Sequence, residues 1–263
     1  MDKLKEICES RLKQVEENKS LYPEALLRKS VYFDSDVVSL ERYLKRKDKS
    51  GIIAEFKRKS PSKGMIDAYA DVKETTISYM QAGASALSVL TEPSYFGGKD
   101  SDLTEARKAN YCPILRKDFI LDGYQLVEAR SIGADAILLI AAVLDNSALQ
   151  HLSDAAIDLG LEVLIEIHSE DELDKLPDSK FVLGVNNRNL KSMTVDLETS
   201  LSIIDKVKGS FTCVSESGIK SGKDMAKLRT AGFDGFLIGE AFMNSPIPGK
   251  RVEEFIIEMH HSA

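Results

Sequence analysis

Eight short apolar runs between residues 51 and 250, separated by polar stretches of helical character, constrain this chain more than any other feature. They are IIAEF (52–56), ALSVL (86–90), PILRK (113–117), DAILLIAA (135–142), LEVLIEI (161–167), FVLGV (181–185), FTCVS (211–215) and GFLIG (235–239). Several are almost continuously apolar and rich in Ile, Val and Leu, which marks strands buried on both faces, as in a parallel sheet covered by helices. A repeated phrase supplies the period. AGASALSVL, IGADAILLI and AGFDGFLIG each set a glycine (Gly83, Gly133, Gly232) shortly before a strand, where it suits the C-terminal cap of the preceding helix. These glycines lie 50 and 99 residues apart, close to two and four units of roughly 25 residues, and eight such units close a barrel of roughly 250 residues. An open doubly wound sheet is the alternative, but no GxGxxG follows the first run. The expected architecture is α/β, a (β/α)8 TIM barrel with an N-terminal helical extension.

The extension covers residues 1–50. Leu4, Ile7, Cys8, Leu12 and Val15 recur at helical spacing as one docking stripe. Val37, Val38, Leu40, Tyr43 and Leu44 make a second stripe, with Asp34 or Ser35 as its N-cap. The barrel core is expected over 51–250 and a C-terminal helix and tail over 251–263, the whole forming one domain. A formal charge of −7 and a pI near 5.3 argue against a nucleic-acid footprint, which needs a basic face, and favour a small-molecule partner. No stretch approaches the roughly 18 apolar residues of a membrane span and no leader signature opens the chain, so a cytoplasmic protein is expected. Cys8, Cys112 and Cys213 are odd in number and far apart, as reduced thiols would be. The histidines at 151, 168, 260 and 261 show no ligand spacing, so no metal is expected, and the last two read as a solvated tail.

In a barrel the chemistry sits where strands end at the C-terminal face. Those positions hold Glu55, Lys57 and Ser60, then Glu92, Tyr95 and Phe96, then Lys117, Asp118 and Phe119. Glu166 follows in run five, Asn186, Asn187 and Arg188 after run six, Glu216, Ser217 and Gly218 after run seven, and Gly239 with Glu240 after run eight. One such charge alone is usually a solvated rim residue. Glu55 and Lys57 differ because strand residues two apart share a face, so both enter the mouth or neither does. Glu166 differs because an unpaired carboxylate inside LIEI would be costly, so it requires a cation, for which Lys117 and Lys57 are the candidates. His168 reads as a rim residue and Asp118 as a structural partner of a neighbouring loop. Gly218 and Gly239, ending consecutive late strands, suit a phosphate held by backbone N–H groups and a helix N-terminus.

The phrases IIAEFKRKSPSKG, ALSVLTEPSYFGG, PILRKDFILD, LIEIH, GVNNRNL, VSESGI and FLIGEAFM together resemble the indole-3-glycerol-phosphate synthase family of tryptophan biosynthesis, in the family's order and across the barrel. EFKRKSPS and LRKDF carry the likeness most specifically; ESGI and FLIG are shared with other phosphate-binding barrels. The resemblance implies ring closure of 1-(2-carboxyphenylamino)-1-deoxyribulose 5-phosphate with loss of carbon dioxide and water, without a cofactor. It implies Lys117 as general acid, Glu166 as general base with Glu55 nearby, and Lys57 as a second lysine that pairs with substrate anions and serves the dehydration. Ser60, Phe96, Phe119, Asn186, Arg188, Glu216, Ser217 and Leu237 match substrate-lining positions, and Gly218, Gly239 and Glu240 the phosphate end. Asn189 departs from the Asp common in the family, and a modest effect is expected. A monomer, or at most a weak homodimer, is expected. The rivals are another phosphosugar barrel such as phosphoribosylanthranilate isomerase, which would need a Cys and Asp pair, and an inactive barrel kept as a binding subunit.

Overall fold

A computed structural model describes residues 3–189 and 192–262. Eight parallel strands close a barrel: β1 (Ile52–Phe56), β2 (Ala86–Leu90), β3 (Ile114–Lys117), β4 (Ala136–Ile140), β5 (Glu162–Ile167), β6 (Val182–Asn186), β7 (Thr212–Glu216) and β8 (Gly235–Ile238), the last pairing back onto β1. Each strand falls on one of the apolar runs, with ends moved by a residue or two. Asn186 and Glu216 prove to be the final residues of their strands rather than the first of the loops. The repeated glycines end helices as expected; Gly133, at φ 94°, caps the helix Tyr124–Ile132 in the left-handed region.

Alternation along the strands divides the apolar residues into two cores. Ile52, Ala54, Leu87, Ile114, Ile137, Ile165 and Phe236 point outward and pack under the surrounding helices. Ile53, Leu115, Leu138, Leu164, Val214 and Leu237 point inward and fill the barrel. A barrel interior is stacked in layers contributed by alternate strands. Ile53, Leu115, Leu164 and Val214, from β1, β3, β5 and β7, carry the apolar layer, and two residues further along each strand stand Glu55, Lys117, Glu166 and Glu216. The same period of two that buries four aliphatic residues therefore places four ionisable ones directly above them.

The extension closes both ends. Its first helix, Lys3–Leu21, buries Ile7, Arg11 and Val15 and brings Leu4 and Ile7 to the C-terminal mouth. Leu12, assigned to the docking stripe, is 43% exposed, because the buried face is centred on Arg11, whose guanidinium finds carboxylates beneath the helix. The second stripe forms the short helix Leu40–Leu44, and Leu40 and Leu44 join the inner core at the opposite end. Its N-cap is Ser39, whose hydroxyl accepts from the Arg42 N–H; Asp34 and Ser35 are too far upstream because residues 36–39 run extended first. The last helix, Pro248–His261, begins three residues before the expected boundary, with proline in its first turn, and leaves His260 and His261 exposed. Between β5 and β6 a 3-10 helix, Glu170–Lys175, stands in place of an α-helix. Among the described residues no helix is long and apolar enough to cross a membrane.

Candidate active site

Lys117 is the centre of the charged layer. Its Nζ lies 2.8 Å from Glu166 Oε2, to which it donates a hydrogen bond, and 3.2 Å from Glu216 Oε2. Lys57, the other candidate partner of Glu166, stands just past the end of β1 and instead contacts Glu55, Nζ to Oε1 at 2.7 Å, so the two residues do share the mouth. Space for these groups comes from glycine. A Cβ on Gly184 would stand 2.3 Å from Glu216 Oε1, and one on Gly239 would stand 2.3 Å from Glu55 Oε1.

The electrostatics follow from three carboxylates buried around one ammonium. Burial by itself would lower the Lys117 pKa, but Glu166, Glu216 and Glu55 outweigh it and push it above the ordinary lysine value. Burial would raise the Glu166 carboxyl, yet Lys117 and His168 hold it well below the usual carboxylate range. Glu216 goes the other way: burial and the nearby Glu166 charge push its carboxyl up to about 8 against the pull of Lys117. Its Oε1 has no hydrogen-bond partner among the described residues. His168, expected at the rim, is instead packed beside Glu166, with Nε2 3.1 Å from Oε1.

The opposite face of β3 is built differently. Arg116 is fully buried against the outside of the barrel, donating to Glu128 Oε2 at 2.6 Å, Asp100 Oδ1 at 3.0 Å, the Gln125 carbonyl and the Thr91 hydroxyl. Asp118 accepts from Arg11 Nε and Nη2 at 3.0 and 2.7 Å and from the Thr91 hydroxyl at 2.6 Å. Asp118 is thus the structural partner expected, but of the N-terminal helix rather than of a neighbouring loop alone. This lattice of ions fixes the strand on which Lys117 stands.

Above the charged layer lies a cavity of about 180 Å³ whose lining falls into two halves. Leu4, Ile7, Leu90, Leu138, Ile140 and Leu237 form apolar wall, and Phe96 and Phe119 face each other across 6.0 Å at its edge. Lys57, Ser60, Lys117, Glu166, Asn186, Arg188 and Glu216 form the polar half. The cavity opens into a trough of about 1210 Å³ bordered by Lys57, Lys63, Arg188, Lys220 and Arg251, together with Gly218 and Glu240. A short hairpin missed in the sequence, Lys59–Ser60 against Gly64–Met65, forms part of its rim. Ser217 and Gly218 follow β7 with φ of 64° and 79°, a paired left-handed turn, and a Cβ on Gly218 would meet Val195 Cγ1 at 2.4 Å. A serine held in that region is a strain seen most often at functional sites. The next helix, Gly222–Ala231, is already capped by Ser221 and Asp224, and the Gly222 N–H donates to Glu258. The Ser217–Gly218 turn and Gly239–Glu240, where β8 ends, line the cavity and its trough. The Glu240 carboxylate turns to Lys63 and Arg188, at 3.6 and 3.8 Å.

A closed (β/α)8 barrel with a buried lysine set among carboxylates at its C-terminal mouth is the make-up of a barrel enzyme that works by proton transfer. The chain belongs to the indole-3-glycerol phosphate synthase family, whose model matches residues 4–255. It is 50% identical over 218 residues to an indole-3-glycerol phosphate synthase of Bacteroides thetaiotaomicron, covering 83% of this chain and 84% of that one. It is 40% identical over 266 residues to that of Magnetococcus marinus, covering 97% and 98%. Among solved structures, tryptophan synthase subunit alpha from Legionella pneumophila superposes with a TM-score of 0.62 at 15% identity, over 84% of this chain and 98% of that one. The 3-hexulose-6-phosphate synthase of Salmonella typhimurium gives 0.62 at 15%, over 81% and 100%. At that identity the likeness is one of fold.

Proposed function

We propose that the protein, acting as one barrel domain, closes the indole ring of 1-(2-carboxyphenylamino)-1-deoxyribulose 5-phosphate, releasing carbon dioxide and water to give indole-3-glycerol phosphate. The observation that carries this reading is the Lys117 ammonium, placed between Glu166 and Glu216 at the foot of a cavity that is apolar and aromatic on one side and opens to a basic trough on the other. The anthranilate ring suits the Phe96, Phe119 and Leu237 side, and the phosphate suits the N–H groups of Gly218, Gly239 and Glu240 with Arg188 nearby. Ser60, Asn186 and Ser217 supply hydrogen bonds between the two ends.

Carbon–carbon bond formation puts negative charge on the ketone oxygen, and Lys117 donates the proton that quenches it. An ammonium whose pKa is raised by its carboxylates is a weak acid, but an alkoxide is a far stronger base, so the transfer is downhill once the bond forms. Carbon dioxide then leaves, its bonding electrons returning to the ring iminium, so no external electron sink is required. Expulsion of the remaining hydroxyl needs a second protonation, which falls to Lys57 held by Glu55. Glu166, kept ionised, removes the ring proton. Glu216, its carboxyl pushed upward by burial beside Glu166, lines the site on the other side of Lys117. A rival isomerase would need a reactive cysteine, and Cys112 lies in the outer core with its thiol pushed up to about 12 by burial. A cytoplasmic monomer, or at most a weak dimer, fits this reading.

The test is direct: purified protein given the carboxyphenylamino substrate develops indole absorbance and fluorescence without added metal or cofactor. Folded protein that leaves the substrate unchanged contradicts the proposal.

A further inference from the structure

Beyond the ring of four, one titratable side chain is buried against the reacting groups with no part in the steps above. His168 follows Glu166 by two residues, just past the end of β5, and its side chain is 8% exposed. Nε2 stands 3.1 Å from Glu166 Oε1, and Nδ1 stands 3.7 Å from Glu172 Oε2. Glu172 is held in place by the His168 backbone itself, whose N–H donates to Oε2 at 2.7 Å. Both ring nitrogens are buried and make no hydrogen bond among the described residues, so the two carboxylates face the ring as close charges.

An imidazole facing a carboxylate on each side satisfies both only with a proton on each nitrogen. Glu166 then has a cation on either side: Lys117 donates to Oε2, and His168 Nε2 stands 3.1 Å from Oε1. We propose that His168 is a positioning residue for the ring closure, holding Glu166 as an oriented carboxylate and leaving the Lys117 ammonium free to give up its proton without losing the site's last cation on that base. The proposal rests on the functional reading above. The balance of charge agrees with it. Facing Glu166 are Lys117 from β3, Glu216 from β7 and His168 from just past the end of β5; facing His168 are Glu166 and, from the 3-10 helix, Glu172, with Lys175 nearby on the Ala141 carbonyl. When Lys117 becomes neutral after proton transfer, His168 is the remaining cation in contact with Glu166. Burial alone would lower the His168 pKa, but the two carboxylates raise it to about 9, so the charge persists at neutral pH.

The decisive variant is His168→Asn, which keeps a donor near Oε1 and removes the charge. Wild-type turnover is read first, and its absence overturns the functional reading together with this inference. Given turnover, H168N should lose about tenfold in kcat with KM within about twofold, and its acid limb should move up by about one pH unit as Glu166 loses a cationic neighbour. A merely structural histidine would leave that limb where it is. Active wild type with an H168N profile unshifted in kcat and pH overturns this inference alone. Nitrogen NMR of the wild-type protein decides the matter even where the variant folds poorly: an imidazolium at pH 7.5 for His168 supports the proposal, and a neutral tautomer overturns it.

Discussion

Lys117, the last residue of β3, and its neighbours on either side, Arg116 within the strand and Asp118 just past its end, face opposite environments. Arg116 and Asp118 point outward into a lattice where their hydrogen-bonding atoms meet Glu128, Asp100, Thr91, Gln125 and Arg11. Lys117 points inward to a layer where carboxylates outnumber ammoniums, burial pushes the Glu216 carboxyl upward and, among the described residues, one of its oxygens goes unpartnered. Both regions are buried and charged, so burial is not what separates structure from chemistry. Satisfaction is. The outer lattice has its partners built in and serves to hold β3 to the N-terminal helix, whereas the inner ring leaves protons and lone pairs uncommitted in a cavity large enough for a ligand. Buried polar groups with incomplete partners are costly, and that cost persists where a substrate uses them.

Breaking the outer lattice gives the largest expected change in stability. Arg116→Met takes the cation from Asp100 and leaves Glu128 and Asp118 to Arg11 alone, and should cost about 3–5 kcal/mol, read from denaturant melts. The kcat of the molecules that remain folded should stay near that of wild type; a fully stable variant would show that the lattice is dispensable. The inner ring should respond in the opposite sense. Glu216 holds its proton up to about 8 in the native state against 4.5 ordinarily, so between those values the native protein binds a proton that the unfolded chain has released, and stability falls as pH rises through that window. Glu216→Gln removes this dependence. The variant should gain on wild type by on the order of 1–3 kcal/mol at about pH 8 and by nothing near pH 4, while turnover drops. Identical pH-stability curves for the two would mean that Glu216 ionises normally.

Much of this arrangement could be read from residues alone. Apolar runs and helix-ending glycines located all eight strands because parallel strands buried on both faces leave a strong compositional trace. The need of Glu166 for a cation followed from its setting in LIEI, and the structure supplied Lys117 rather than Lys57. His168 was misread although the signal existed: the period-of-two argument that paired Glu55 with Lys57 places residue 168 on the same face as residue 166. Arg11 was also legible in part, as a charge midway between Ile7 and Val15 on the buried face of a helix, but its partner lies 107 residues away and only tertiary structure brings Asp118 beneath it. The hairpin at 59–65 left no trace because two-residue strands carry no periodicity.

The alternation on β3 makes one measurement more direct than the others. Lys117→Ala, examined under single-turnover conditions with substrate saturating, should bind normally and, in the molecules that fold, form indole product about 10²-fold or more slowly. Loss of binding with normal conversion of whatever substrate is bound would make Lys117 a clamp, and the division of β3 into a reactive inner face and a structural outer one would not hold.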